Sequence, residues 1–195
     1  MDERDTDGLI THRDGAVRCW WCGDDPGYVA YHDTEWGRPV HDDLRLYEKL
    51  CLEGFQAGLS WLTILRKRPA FRAAFAGFDP KVVARFDGTD VQRLLSNEGI
   101  VRNRSKIEAT IGNAKAYLEL VAAEGSLDAF VWAYAEEDAP APTSIADVRS
   151  TAPSSIRLSK ELKLRGWRFV GPTTVYAFMQ SMGLVNDHVV GCDWR

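Results

Sequence analysis

Residues 166–183 read Gly-Trp-Arg-Phe-Val-Gly-Pro-Thr-Thr-Val-Tyr-Ala-Phe-Met-Gln-Ser-Met-Gly, a pattern typical of two helices joined by a tight turn. Gly171 lies in the turn, Thr173 or Thr174 can cap the second helix, and the final glycine can end it. Free N–H groups at the start of such a helix bind phosphate well. Taken alone, the stretch is explained better as a plain helix–turn–helix connection.

The segment before this turn is basic. Residues 157–168 contain five lysines and arginines and one glutamate. If residues 157–183 form one hairpin motif, these cations would lie beside a nucleic-acid backbone. A solvated helix face is the commoner explanation of one basic cluster, and the protein's net charge of -4 argues weakly against generic nucleic-acid binding.

The rest of the chain also favours helices. Residues 103–124 carry apolar side chains at steps of three and four, and Gly125 then acts as a stop signal. Further helices are predicted to start at Asp42 or Asp43, at Asp79-Pro80, at Thr89 or Asp90, and at Ser126. Residues 138–154 are predicted to form a loop. Because no alternating strand pattern of useful length appears, the predicted fold class is all-α, with residues 1–17 as a disordered N-terminal extension.

The bulk composition limits the possible classes of protein. A chain of 195 residues with 45% hydrophobic residues suits one domain, here residues 18–195. Four cysteines are too few for a disulfide scaffold, and no secretory or membrane-spanning segment is evident. We therefore expect a cytoplasmic protein whose thiols bind metal or stay free. Nothing demands an oligomer, so a monomer is expected.

Two pairs of metal-type residues lie near opposite ends of the chain. Cys19 and His32 are in the first pair, and His188 and Cys192 are four residues apart, a spacing that places two helical side chains on one face. Two thiolates and two imidazoles make a complete tetrahedral ligand set for zinc, although many short Cys/His pairs in proteins bind no metal. Cys22 forms Cys-x-x-Cys with Cys19 and is an alternative ligand.

Aromatic residues are concentrated between residues 20 and 61. Four of the seven tryptophans fall there, as do Tyr28 and Tyr31, which suggests a lined pocket more than a simple core. Glu53 lies within the apolar stretch Leu-Cys-Leu-Glu-Gly-Phe, where an ionised carboxylate needs a partner. A surface role for Glu53 is about equally compatible with the sequence, because carboxylates in such positions are only probabilistic markers of sites.

Three stretches together resemble the DNA-3-methyladenine glycosylase I family of helix-hairpin-helix glycosylases. They are Cys-Trp-Trp at 19–21 with Tyr-His-Asp-Thr-Glu-Trp-Gly at 31–37, Leu-Glu-Gly-Phe-Gln-Ala-Gly-Leu-Ser-Trp at 52–61, and Asn-Asp-His-Val-Val-Gly-Cys at 186–192. The resemblance covers about residues 18–192. Motifs this long and this dispersed rarely agree by chance.

The resemblance implies a two-lobed helical fold with the active site between the lobes and the hairpin on DNA. It implies that Glu53 recognises a flipped-out 3-methyladenine and that a structural Zn²⁺ ties the N-terminal segment to the C-terminus. The implied residue sets are Trp21, Tyr28, Tyr31, Trp36 and Trp61 for the base, Gly58, Leu59, Gly171 and Thr173 for double-stranded DNA, and Cys19, His32, His188 and Cys192 for the metal.

Two features refine this expectation. Related hairpin glycosylases carry Val-Asp-x-His-Val, whereas this chain has Asn186 where that aspartate would fall, with Asp187 next to it. This departure fits an enzyme restricted to labile, cationic bases, although Asp187 could assist. Because no lysine stands in an obvious nucleophile position, we predict a monofunctional repair glycosylase. A hairpin DNA-binding module without catalysis and a zinc hydrolase of small metabolites are the competing hypotheses.

Overall fold

The computed structural model describes residues 8–136 and 139–195, and most of these residues are helical. This confirms the predicted helical class. The helices are α1 (Pro26–Thr34), α2 (Asp43–Gln56), α3 (Trp61–Ala74), α4 (Pro80–Val83), α5 (Gly88–Leu95), α6 (Arg104–Glu124), α7 (Leu127–Trp132), α8 (Pro153–Leu164) and α9 (Pro172–Ser181). Short 3₁₀ turns lie at Trp20–Cys22, Ala76–Phe78 and Ile145–Asp147.

Side-chain caps begin several of these helices where the sequence predicts them. The Asp42 carboxylate accepts from the N–H of Arg45 at 2.8 Å, and the Ser126 hydroxyl accepts from the N–H of Ala129 at 2.9 Å. Each cap satisfies a donor that the first helical turn leaves free. The cap of α5 is Asp87 rather than Thr89 or Asp90, because its carboxylate reaches two N–H groups of the first turn.

Helix α2 is the central element of the core. It packs against α3, α6, α7 and α9, and nine of its fourteen residues are buried. Seven of the nine carry apolar side chains or none, whereas Lys49 and Glu53 are charged and one turn apart. Buried charges are costly unless they are paired, so this turn of α2 marks a special position.

The N-terminal segment differs from the prediction. Two antiparallel strands, β1 (Leu9–Thr11) and β2 (Val17–Cys19), pair with Leu9 opposite Cys19. The predicted disorder of residues 1–17 and the absence of strands are therefore wrong for residues 8–17, and residues 1–7 lie outside the described residues. Strands of three residues are too short for alternation to appear, and tertiary contacts such as Val17 N–H to the Asp193 carboxylate at 2.8 Å hold them.

Helices α8 and α9 contact one another and are joined by residues 165–171; this pair is called here the α8–α9 hairpin. A DNA-binding hairpin motif over residues 157–183 stays a prediction. Gly171 is the N-cap residue of α9 and Pro172 takes the first helical position. Thr173 and Thr174 are therefore inside the helix, and their predicted capping role is wrong. A proline fixed near φ -65° starts the helix instead of a hydroxyl cap. In the described part of the chain, no helix is long and apolar enough to cross a membrane.

Candidate active site and metal centre

One cavity of about 210 Å³ opens between α1, α2, the start of α3 and α9. At about 30 Å³ per water, this is roughly the space of seven water molecules. Every residue that the sequence assigned to the base pocket lines it. The lining, called here the aromatic cavity, consists of Trp20, Trp21, Tyr28, Tyr31, Trp36, Glu53, Gln56, Trp61, Val148, Ala177, Gln180 and Asp187.

Local structure explains how residues distant in sequence reach this cavity. Trp21 lies in a 3₁₀ turn, and its ring centroid is 4.9 Å from that of Trp36 and 5.1 Å from that of Tyr28. Tyr31 on α1 lies 5.4 Å from Trp61 at the first turn of α3. Tilted ring pairs at these separations are favourable beyond the area that they bury. The cavity is therefore walled by rings that hold one another in place.

Glu53 is the carboxylate that α2 contributes to this wall. It is only 4% exposed, and its Oε1 is 2.9 Å from Nζ of Lys49, one helical turn earlier. The spacing of four residues makes this pair geometrically natural on a helix. The Lys49 ammonium balances the negative charge of Glu53, so the carboxylate is tolerated in an apolar helix.

Lys49 also contacts two aromatic residues of the cavity wall, and sequence reasoning missed it. Its Nζ donates to the Tyr31 hydroxyl at 2.8 Å and lies 3.1 Å from the ring centroid of Trp61. Burial lowers the pKa of Lys49 to about 8, although Glu53 acts in the opposite direction. Lys49 does not itself line the cavity. The signal that could have found it is Lys and Glu four residues apart in an apolar helix.

The cavity wall also contains polar groups that a ligand could engage. The indole Nε1 of Trp61 is buried without a hydrogen-bond partner among the described residues. A buried donor left unpaired costs about 1–3 kcal/mol, and this one is closed to solvent, so it is not among the groups that a ligand in the cavity can reach. Burial raises the pKa of Tyr28 to about 12, so this phenol stays protonated at neutral pH.

Asp187, Gln180 and Gln56 were not assigned to the cavity from the sequence. The Asp187 carboxylate is 3% exposed and accepts from the Tyr176 hydroxyl at 2.6 Å and from the Gln180 amide at 2.9 Å. Asn186 is exposed, and its side chain accepts from the N–H of His188 instead. Of these two adjacent residues, Asp187 is therefore the one that faces the cavity.

The four predicted metal ligands meet at one point. Their ligand atoms all lie within 4.8 Å of one another, and all four residues are buried. The Sγ of Cys192 is 3.5 Å from both His32 Nε2 and His188 Nδ1. This Cys/His cluster, formed by Cys19, His32, His188 and Cys192, can hold a metal ion. His188 and Cys192 flank a turn at Val190 and Gly191, and neither is on the helix that their spacing suggested.

The surroundings fit metal ligation, because each imidazole is oriented by a second contact. His32 Nδ1 is 2.8 Å from the Asp33 carboxylate, and His188 Nε2 is 3.2 Å from the carbonyl oxygen of Trp36. Metal-bound histidines almost always use their other nitrogen in this way. Cys22 is not among the four residues that converge, and burial raises the pKa of its thiol to about 12.

The Cys/His cluster lies directly behind the aromatic cavity. Trp36 and His188 have ring centroids 4.6 Å apart, and Trp21 and His32 have centroids 5.2 Å apart. Gly37 permits this approach, because a Cβ there would lie 2.9 Å from His188 Nε2 and its φ is +74°. The two sites therefore share a wall of aromatic side chains.

The residues expected to contact DNA lie in two exposed turns. Gly58, with φ +82°, and Leu59, 43% exposed, lie between α2 and α3. Gly171 and the exposed Thr173 lie at the start of α9. Each turn leads into an element that lines the aromatic cavity, through Trp61 in one case and Ala177 in the other.

Comparison with known proteins agrees with this geometry. A sequence model described as methyladenine glycosylase matches residues 21–195. DNA-3-methyladenine glycosylase 1 of Escherichia coli (strain K12) is 49% identical over 177 residues, which is 90% of this chain and 95% of that protein.

The chain belongs to the methyladenine glycosylase family.

Solved structures of this family share the fold. A crystal structure of 3-methyladenine DNA glycosylase I superimposes with a TM-score of 0.87 at 48% identity, covering 90% of this chain and 98% of that one. The Staphylococcus aureus 3-methyladenine DNA glycosylase I, studied for its recognition of 3-methyladenine, superimposes with a TM-score of 0.83 at 38% identity, covering 87% and 92%. The family resemblance stated from the sequence motifs is confirmed.

Proposed function

We propose that this methyladenine glycosylase hydrolyses the N-glycosidic bond of 3-methyladenine in double-stranded DNA, as a repair enzyme. The observation that carries the proposal is the aromatic cavity with the buried carboxylate Glu53 in its wall. A base stacked in a duplex cannot reach such a cavity. The nucleotide must be flipped out, which costs a few kcal/mol and least for a damaged base.

The cavity suits a flat cation better than a neutral purine. 3-Methyladenine in DNA carries a positive charge, and each well-placed aromatic face attracts a cation by about 0.5–2 kcal/mol. The indole and phenol rings at Trp21, Tyr28, Tyr31, Trp36 and Trp61 supply these faces. Adenine gains only the stacking part of this energy, so the alkylated base is favoured.

Glu53 is the proposed recognition carboxylate. It can accept a hydrogen bond from the exocyclic amine of the base and oppose its charge, and a charge-assisted bond of this kind is about twice as strong as a neutral one. The methylated base is already an activated leaving group, so no strong general acid is needed. Water then attacks the sugar carbon, and Asp187 is the second carboxylate of the cavity that could assist this step.

The enzyme is proposed to be monofunctional. A glycosylase that also cleaves the strand needs an amine to attack the sugar. Among the described residues, no lysine lines the cavity, and Lys49 lies behind the wall, bonded to Glu53 and Tyr31. Trapping with borohydride should therefore give no covalent protein–DNA product.

DNA contact is assigned to the two exposed turns. Leu59 would fill the gap left by the flipped nucleotide, with Gly58 allowing its approach, because an exposed apolar side chain between two cavity-lining elements can act as a wedge. Gly171 and Thr173, at the start of α9 in a helix-hairpin-helix motif, would bind the phosphate backbone through free N–H groups. A monomer suffices for both contacts.

The ion in the Cys/His cluster is proposed to be Zn²⁺ with a structural role. Two thiolates and two imidazoles fit tetrahedral zinc and leave no ligand position open for water. When bound, the ion would cross-link the N-terminal segment to the C-terminal segment. It would take no part in the reaction at the base. The four unpaired cysteines are also consistent with the proposed cytoplasmic location.

Chromatography of free bases released from methylated duplex DNA tests the function. The proposal expects 3-methyladenine in the supernatant, with the DNA strand intact until alkali is added. Release of no methylated base by folded, metal-loaded protein would contradict it. The same assay reports whether 3-methylguanine is also released.

A further inference from the structure

Helix α6 connects the two turns that are proposed to contact DNA. Its residue Lys106 reaches the turn after α2, where its Nζ donates to the carbonyl oxygens of Phe55 at 2.9 Å and Ala57 at 2.5 Å. These carbonyls belong to the last turn of α2 and the residue before Gly58. Lys106 therefore fixes the backbone that leads into the exposed Leu59.

Two helical turns later, Asn113 reaches the α8–α9 hairpin. Its amide nitrogen donates to the carbonyl oxygen of Arg168 at 3.1 Å, and its amide oxygen accepts from the N–H of the same residue at 2.8 Å. The next residue, Phe169, has φ +56°, a region that non-glycine residues seldom occupy. The paired contact with Asn113 holds the backbone beside this strained residue.

The segment that joins α8 and α9 also lies against α2, beside α6. A Cβ added to Gly54 would lie 3.1 Å from the Cβ of Phe169, so the missing side chain lets the hairpin approach α2 next to Glu53. Only a space of about 10 Å³ is left between α2, α6 and the hairpin. The segment that joins α8 and α9 therefore has little room to move relative to α2, whose last turn leads to Gly58.

Burying the charged side chain of Lys106 costs free energy that an apolar side chain in the same position would not. Its residue surface is 8% exposed, and burial lowers the pKa of its ammonium. Its hydrogen-bond partners among the described residues are backbone carbonyls, with no carboxylate to balance the charge. An apolar side chain would pack at lower cost, so the ammonium indicates a need to position these carbonyls.

We propose that Lys106 and Asn113 are positioning residues that make α6 a brace, setting the distance between the Gly58–Leu59 turn and the hairpin so that both engage one duplex. This inference rests on the proposed function, because it assumes that both turns contact DNA. It assigns the brace no role in holding the free base, since neither residue lines the aromatic cavity.

The test compares Lys106→Met and Asn113→Gln with Lys115→Met, which alters an exposed lysine of the same helix. Binding to a duplex carrying a tetrahydrofuran abasic-site analogue is measured by fluorescence anisotropy. Binding of free 3-methyladenine is measured by tryptophan fluorescence, with melting curves to establish folding. The brace predicts about tenfold weaker DNA binding in the first two variants. Free-base binding should stay unchanged, and Lys115→Met should match wild type in both assays.

Folded Lys106→Met protein that binds the duplex like wild type would overturn the brace, as would an equal loss of free-base binding. If both variants fail to fold, amide hydrogen exchange in wild-type protein decides. Addition of the abasic duplex should slow exchange at Leu59 and Arg168 together, and slowing at only one of them contradicts the proposal. The proposed function fails separately, if wild type releases no 3-methyladenine.

Discussion

The Cys/His cluster and the aromatic cavity share a wall but are organised in opposite ways. In the cluster, four buried ligand atoms converge within 4.8 Å, and each imidazole is oriented by a second contact. The cavity instead keeps about 210 Å³ of space between aromatic rings, with the buried carboxylate of Glu53 in its wall. Changes in the cluster should therefore damage the fold, whereas changes in the cavity should damage recognition of the base.

The largest expected effect is on the cluster side of this comparison. Cys192→Ser removes one of four ligands, and we expect it to destabilise the protein by about 4 kcal/mol or more, the range typical of losing a structural metal. Melting curves with and without a chelator, together with metal analysis, measure this loss. A variant that loses its metal but keeps its melting temperature would show that the cluster is not structural.

Cys22→Ser is the matched control, because Cys22 is buried next to the cluster but is not one of the four converging residues. It should keep as much bound metal as wild type. Loss of metal from this variant would show that Cys22 is a metal ligand.

The next largest effect is on the cavity side. Glu53→Gln keeps the shape of the side chain but removes its charge, and it should weaken binding of 3-methyladenine by about 1.5–3 kcal/mol, the worth of a hydrogen bond to a charged group. Titration followed by tryptophan fluorescence measures the change. Glu48→Gln, on the same helix but paired with Arg72 outside the cavity, is the control and should bind normally.

A smaller effect is expected from the aromatic wall. Trp61→Phe keeps a ring beside Lys49 but replaces the indole with a smaller aromatic face, so base binding should weaken by about 0.5–1.5 kcal/mol. Trp132→Phe is the control, since its indole donates to the Val40 carbonyl away from the cavity. Equal losses of base binding in both variants would argue against a specific role for Trp61.

A separate prediction, on stability rather than base binding, concerns Lys49 and pH. In the folded protein its pKa is lowered to about 8 from 10.5, so above pH 8 the native state releases this proton while the unfolded chain retains it. The contribution of Lys49 to the free energy of unfolding therefore rises as the pH increases from about 8 toward 10.5. Urea unfolding at pH 7 and pH 9.5 should show wild type gaining stability relative to Lys49→Met. No change in this difference would mean that Lys49 titrates normally.

The sequence predicts the parts of both regions that depend on local signals or on long motifs. Capping residues such as Asp42 and Ser126 mark the starts of their helices in the sequence. A side-chain oxygen just before an apolar helical pattern can accept a hydrogen bond from a free N–H group of the first turn. The four cluster residues and the six predicted pocket residues were grouped correctly in space, because the family motifs identify them together. Their individual roles remain predictions.

What the sequence did not predict depends on tertiary contacts. The strands at Leu9–Thr11 and Val17–Cys19 are too short to show a period, and Asp193 helps to hold them from the far end of the chain. Nothing in the sequence separates Lys49 from a surface lysine, because its burial follows from the packing of α2 against other helices. Asp187 could not be separated from Asn186 without knowing which of the two faces the cavity.

Single-turnover release of 3-methyladenine from one defined duplex tests the division between cluster and cavity most directly. Wild type, Glu53→Gln and Glu48→Gln are compared at equal zinc content and equal melting temperature. We expect Glu48→Gln to match wild type and Glu53→Gln to release the base at least about tenfold more slowly. Equal release rates for Glu53→Gln and wild type would contradict the central claim that the buried carboxylate of the aromatic cavity recognises the base.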